Sequence, residues 1–405
     1  MQNTLFVIRL SARMAPLSIA LTTMTSMPLH AENATPPSPA PFAYVGTYNP
    51  NGEGVYLFHV DPQSGALQRV KLVSQLPNAA QLTVDATGKT LYVASEIANY
   101  KDSKHGAVAA YAVDRTDGSL TLLSQQDSQG ATPVYVSPAT QGKYLFTANY
   151  GSGSVAVFPL GADGSLQAAV TTQQSTGPAG ARQTGAAVEG SFAVSGHDGP
   201  HAHMIASDPS GRFAFSTDLG LDRIYQWRFD PANGSLQPNT PAFINASSAG
   251  AGPRHFAFHP NGRYVYLINE EASTLTLYHF DQADGTLQEK QNVSTLPKNF
   301  KGTSFASGLV ISDDGRFVYV ANRLHNSIAQ FAVGAEGKLE WVGETWTRGD
   351  YPRTIAIEPQ GRFMYALNQR SDNITQFAID KASGKLEFID RYTAVGSPSQ
   401  MVFAR

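Results

Sequence analysis

Seven stretches of this 405-residue chain close with a glycine-containing turn and a leucine, and that periodicity limits the folds open to it. The closing leucines are Leu67, Leu120, Leu166, Leu236, Leu287, Leu339 and Leu386, spaced by 53, 46, 70, 51, 52 and 47 residues. GPRHFAFHPNGRYVYLINEEASTLTLYHFDQADGTL, from Gly252, is a full copy, and related copies start at Gly199, Ser304 and Tyr351. Each unit alternates β-rich runs with turns of the Pro-Asn-Gly, Asp-Asp-Gly or Ala-Asp-Gly kind, the pattern of successive hairpins. Seven such units with four strands each predict an all-β, seven-bladed β-propeller. A linear solenoid is the competing arrangement, but the two ends argue for a ring. The first copy opens at its second strand, AYVGTY, while the chain finishes in GSPSQMVFAR, which matches an inner-strand start. The C-terminal strand is therefore expected to pair beside Phe42 to Tyr48, complete the first blade and remove two open sheet edges.

The same geometry sorts the side chains. Ala206, Ala257 and Ala356 suit the crowded propeller axis, although Tyr135, at the matching position, departs from that pattern. Tyr264, Tyr266, Phe280, Phe317 and Phe363 are expected as packing between blades. Residues 167–198 account for the long spacing and are expected as an extended loop or irregular outer strand between the third and fourth blades.

Within the blade from Gly252, the inner strand leaves one face near Arg254 and the second strand returns to it at Glu270. Applied to every unit, that rule gathers Thr47, Tyr48, Glu96, Asn149, Tyr150, His201, His203, Asp218, Arg254, His255, Glu270, Asn322, Arg323, Arg353 and Asn368 around one mouth. The recurring Gly-Arg pairs, such as Gly262-Arg263, fall in the opposite-face turns and are assigned to hairpin geometry.

His201 and His203, in PHAH, stand two apart, so in a regular strand both imidazoles point the same way. Such a pair could do proton transfer, make structural hydrogen bonds or hold a metal; no familiar metalloenzyme spacing accompanies it, and neither metal nor cofactor is expected. Arg254 and Arg323 suit an anionic group and a developing oxyanion, and equally could bridge blades. Glu270 could activate water or hold an arginine.

Composition narrows the setting. There is no cysteine, so disulfides and thiolate nucleophiles are excluded. The formal net charge of -3 supplies no positive field for nucleic acid, which is not expected as a partner. Residues 1–31 run from Arg9 and Arg13 through a weakly apolar stretch to Ala31, the order of a signal peptide, and residues 32–41, ENATPPSPAP, read as a flexible proline-rich leader. No other segment has the length of a membrane span, so the 42–405 propeller domain is expected to be periplasmic or secreted, with no membrane insertion; a cytoplasmic location follows if the leader is not a signal.

In GPHAHMIASDPSGRF, LGLDRIYQWRFD, GPRHFAFHPNGRYVYLINEEASTLTLY and ISDDGRFVYVANRLHNSI, the chain resembles the seven-bladed lactonase family, which includes bacterial 6-phosphogluconolactonases and a fungal 3-carboxy-cis,cis-muconate lactonizing enzyme. The resemblance runs through most of residues 42–405. It implies a cleft of His201, His203, Arg254, Glu270 and Arg323 with no required cofactor, of which His203, Arg254, Glu270 and Arg323 are assigned as catalytic; the shared face, not the resemblance, adds His255, Arg353, Asn149, Tyr150 and Asn322 to His201 at the substrate. The implied reaction is hydrolysis of a small anionic or sugar-like lactone. A cyclase for a carboxylated substrate, and an exported propeller that only binds, are the alternatives.

Overall fold

The computed structural model describes residues 42–182, 184–185 and 196–404. The signal-peptide and leader segments lie outside the described residues. The propeller consists of seven four-stranded antiparallel sheets. Their inner strands are Ala79–Val84, Pro133–Pro138, Ala202–Ser207, Pro253–Phe258, Phe305–Ile311, Pro352–Ile357 and, from the chain's end, Pro398–Ala404.

Burial along the strands explains why strict polar–apolar alternation is missing from the middle of each unit. Blades pack face to face, so both sides of a second strand are covered; Tyr264–Asn269 and Tyr144–Asn149 are buried at every position. Such strands read as continuous apolar and β-branched runs. The outermost strands meet solvent, and Leu67–Ser74, LQRVKLVS, is exposed through its central residues. The apolar core is accordingly divided into seven clusters, each shared by two neighbouring blades. A fully buried ring such as Tyr266 or Phe377 contributes about 1.5–3 kcal/mol by leaving water.

A polar bond repeats at these interfaces. Tyr44, Tyr92, Tyr266, Tyr319 and Tyr365, each in a second strand, donate their hydroxyls to the carbonyls of Gly118, Gly164, Gly337, Gly384 and Gly65 in the next blade's outer turn. At that turn Gly65 has φ +65°, and a Cβ there would lie 2.5 Å from Phe363 and 2.8 Å from the Tyr365 hydroxyl, so the close approach needs glycine. The Tyr365–Gly65 bond joins the last blade to the first. Ring closure is completed by Pro398–Ala404, which pairs antiparallel with Phe42–Thr47 from Phe42 opposite Ala404 to Thr47 opposite Pro398.

The long third-to-fourth connection begins as a short outer strand, Thr171–Gln174. No strand follows it among the described residues before Ala202. Tyr135 is no exception to the small-residue pattern: it stands opposite Ala148, in the register of Gln81, Met204, His255 and Thr354, whereas Ser137, opposite Phe146, is the counterpart of Ala206, Ala257 and Ala356. Its ring meets His255 of the fifth blade edge-on at 5.0 Å.

Candidate active site

The site rests on a repeated irregularity. Each inner strand carries a β-bulge one or two residues in, marked by register shifts at Ala79/Gln81, Pro133/Tyr135, Ala202/Met204, Pro253/His255, Ala306/Leu309 and Pro352/Thr354, and by Gly46/Thr47 opposite the closing strand. A bulged residue has no cross-strand partner and its side chain is re-aimed. Three of these bulged positions are His203, Arg254 and Arg353. The others hold Ala80, Val134, Ser307 with Gly308, and Ser399. A fold-wide feature thus delivers the imidazole and two guanidiniums to one level of the mouth.

Arg254 and Arg323 converge on a single carboxylate oxygen. Arg254 Nε lies 2.7 Å, and Arg323 Nη2 2.6 Å, from Glu270 Oε2, and the three side chains are almost wholly buried. Arg254 Nη1 also donates to the Ser307 carbonyl, and Arg323 Nη2 to that of Ala306 at 3.3 Å. Tyr351, which sequence reasoning missed, adds its hydroxyl 3.4 Å from Arg323 Nη1 and its ring 5.3 Å beneath the guanidinium. Burial alone would raise the Glu270 carboxyl, but the Arg323 and Arg254 charges override it and hold it below the usual carboxylate value. Burial brings Arg254 down to about 10 against the pull of Glu270, so it stays charged at neutral pH. Glu270 is therefore a clamp on two cations; its Oε1 takes part in neither ion pair.

The two histidines of PHAH are not equivalent. His201 precedes the strand, its ring stacks on Tyr150 at 4.4 Å, Nδ1 is 2.9 Å from the Tyr150 carbonyl, and Nε2 is 2.7 Å from Asp198. Both of its nitrogens are thus committed to the fold. His203 sits at the bulge, edge-on to His255 at 4.9 Å and to Tyr150 at 5.6 Å. Its Nδ1 is enclosed without a hydrogen-bond partner. Burial, then the Arg254 charge, pushes His203 well below the ordinary histidine range, and the same two causes act on His255. Each is a neutral imidazole at pH 7; His255 faces Arg254 Nη1 at 3.2 Å as an acceptor.

Across the mouth, Arg353 Nη2 approaches Glu96 Oε2 at 3.4 Å, and the Tyr48 hydroxyl donates to the same oxygen at 2.5 Å. Arg353 lies over the Tyr48 ring at 4.8 Å.

Asn149 and Asn322, expected at the substrate, differ from that expectation. Asn149 Nδ2 donates to the Ser128 carbonyl and Ser154, and Asn322 Nδ2 to the Thr295 carbonyl and Ser327. Both are fully buried, as are Thr47, Ser95, Asp218, Asn269 and Asn368 at the matching strand ends. A polar residue recurs there because the strand end needs a tie to the adjoining loop, so these amides pack the fold.

Clefts open on the opposite face as well. One of about 520 Å³ opens among opposite-face turns and is lined by Asp85, Lys89, Thr90, Gln141 and Asp163 among others, without histidine or arginine. Among the described residues, no group of three or more His, Asp or Glu side chains could hold a metal ion, and no helix is long and apolar enough to cross a membrane.

The family model described as "Lactonase, 7-bladed beta-propeller" matches residues 42–403. The chain belongs to this lactonase family. Its sequence is 34% identical over 357 residues to the 6-phosphogluconolactonase of Bacillus subtilis, covering 88% of this chain and 96% of that protein. Among solved structures, the periplasmic gluconolactonase of Pseudomonas aeruginosa is similar with a TM-score of 0.80 and 32% identity, over 90% of this chain and 99% of that one. A Lactobacillus plantarum protein is similar with a TM-score of 0.79 and 28% identity, over 90% and 100%. The propeller is thus a lactonase-type hydrolase in the broad sense, and the mouth described above is where its polar chemistry collects.

Proposed function

We propose that the protein hydrolyses a sugar-type lactone at this mouth, with His203 as the proton acceptor. The observation carrying this reading is the pairing of an uncommitted, neutral imidazole at His203 with two guanidiniums clamped by Glu270. Water attacks the lactone carbonyl carbon while His203 takes its proton. The carbonyl oxygen becomes an oxyanion, which Arg254 and Arg323 stabilise with donors already fixed in place. Collapse of the tetrahedral species breaks the ring C–O bond, and the imidazolium returns its proton to the departing ring oxygen. The product is the open hydroxy acid, and His203 is neutral again.

Membership of the lactonase family supports the reaction class, and the similarity to the two gluconolactonases supports a sugar lactone. We place the reaction outside the cytoplasm, on the order of charge, apolar run and small residue in residues 1–31. Activity confined to the cytosolic fraction of the native cell would refute that location. Acid release from a panel of sugar lactones, above spontaneous hydrolysis, tests the reaction; no excess over a broad panel excludes it and leaves a propeller that only binds.

A further inference from the structure

The groups around the mouth fall into two sets. Arg254, Glu270 and Arg323, with His203, belong to the fourth, fifth and sixth blades, whereas Tyr48, Glu96 and Arg353 come from the first, second and seventh. The second set adjoins the first: the Arg323 guanidinium lies 5.3 Å from the ring of Tyr351, two residues before Arg353. Its bonding is peculiar. Arg353 spends one nitrogen, Nη2, on Glu96 Oε2 at 3.4 Å, and among the described residues Nε and Nη1 hydrogen-bond to no acceptor. Glu96 receives both Tyr48 and Arg353 on that same Oε2, and among the described residues Oε1 has no donor. The arginine is about one-fifth exposed and the glutamate one-quarter, so the pair is partly open to solvent.

A guanidinium can only donate and a carboxylate can only accept. An open donor edge beside an open acceptor edge matches a group that does both, and a sugar hydroxyl is such a group. A phosphomonoester carries about 1.5–2 negative charges at neutral pH and offers acceptors almost exclusively. At Arg353 it would meet the Glu96 carboxylate directly.

We infer that Tyr48, Glu96 and Arg353 form a polyol subsite that selects a neutral, unphosphorylated sugar lactone over its phosphorylated counterpart. The inference rests on the hydrolytic reading of the mouth and specifies its substrate. Glu96 and Arg353 bind the hydroxyls remote from the carbonyl, and Tyr48 keeps Glu96 turned towards them. Burial holds the Tyr48 phenol well above its ordinary value, so it remains a donor throughout the working pH range.

The test compares kcat/KM for glucono-1,5-lactone and its 6-phosphate with the wild type and with Glu96→Gln. The wild type is expected to prefer the neutral lactone by about 10-fold or more. Glu96→Gln frees Arg353 from its counter-charge, so the ratio is expected to move towards the phosphate by at least about 10-fold. A wild-type preference for the phosphate, or a ratio unmoved within about twofold in the variant, overturns the subsite while leaving lactone hydrolysis standing. Product binding to the wild type, measured by calorimetry, supplies a readout that needs neither turnover nor a folded variant. Gluconate binding more tightly than 6-phosphogluconate supports the inference; the reverse order, or binding of neither, overturns it. Absence of hydrolysis with both lactones refutes the reaction itself, and the subsite is then judged by product binding alone.

Discussion

Glu270→Gln is the most informative single change, because it preserves shape and removes one charge from the middle of a buried triad. Arg254, Glu270 and Arg323 are 2%, 7% and 4% exposed, so water cannot replace the lost counter-charge. Leaving a buried ion without its partner costs about 3–5 kcal/mol. Here the cost is expected near the lower end, since the guanidiniums keep the Ser307 and Ala306 carbonyls and the amide oxygen still accepts one bond. The arginines also lose the atom that fixes their spacing, and loss of one preorganised oxyanion donor lowers kcat by about 10²–10³. Urea denaturation and initial rates read the two effects. The diagnostic measurement is the double variant Glu270→Gln, Arg323→Met, in which one stranded cation is also removed. Its loss of stability should be smaller than the sum of the single losses by about 1–3 kcal/mol. If Glu270→Gln costs less than about 1 kcal/mol while activity collapses, the clamp is refuted and Glu270 is the base.

Three further outcomes are expected. His203 and His255 are held neutral, well below an ordinary value of about 6.5, so the unfolded chain binds more protons and stability falls as pH drops below that value. The slope is up to about 1.4 kcal/mol per pH unit for each ring; urea midpoints between pH 5 and 7 should flatten in His203→Gln, and an unchanged slope would contradict the assignment. Removing residues 397–405 strips the inner strand from the first blade and exposes the edge of Phe42–Thr47, so the truncated chain should aggregate or melt cooperatively at lower temperature. Identical melting would argue against closure by that strand. Asn149→Ala should lower stability by about 1–3 kcal/mol through the unpaired Ser128 carbonyl with KM unchanged, and a raised KM on a stable fold would return Asn149 to the substrate.

The blades were legible because the repeat is written in turns and leucines, and because a chain that opens on a second strand requires its end to supply the first. The shared mouth followed from strand direction alone: Arg254 and Glu270, 16 residues apart, meet at 2.7 Å. What remained hidden was local. A period-two strand puts His201 and His203 on one side, but the bulge at Ala202/Met204 separates them, and nothing in PHAH marks it. The substrate roles expected for Asn149 and Asn322 ignored their recurrence: a polar residue ends the second strand in every blade, and whatever every blade carries belongs to the fold. Tyr351 escaped notice because its approach to Arg323 crosses from one blade to the next. Tyr135 looked like an exception to the small-residue rule because it was counted from Pro138; counted from the turn glycine Gly142, it takes the place of Met204 and His255.

The account turns on one neutral imidazole. The decisive measurement is kcat/KM for sugar-lactone hydrolysis by His203→Ala against the wild type at pH 7, with folding verified by urea denaturation. Loss of about 10²–10⁴-fold on an intact fold is the expected result. Retention of activity within a few-fold would mean that water is activated elsewhere, and the mechanism drawn from this mouth would be wrong.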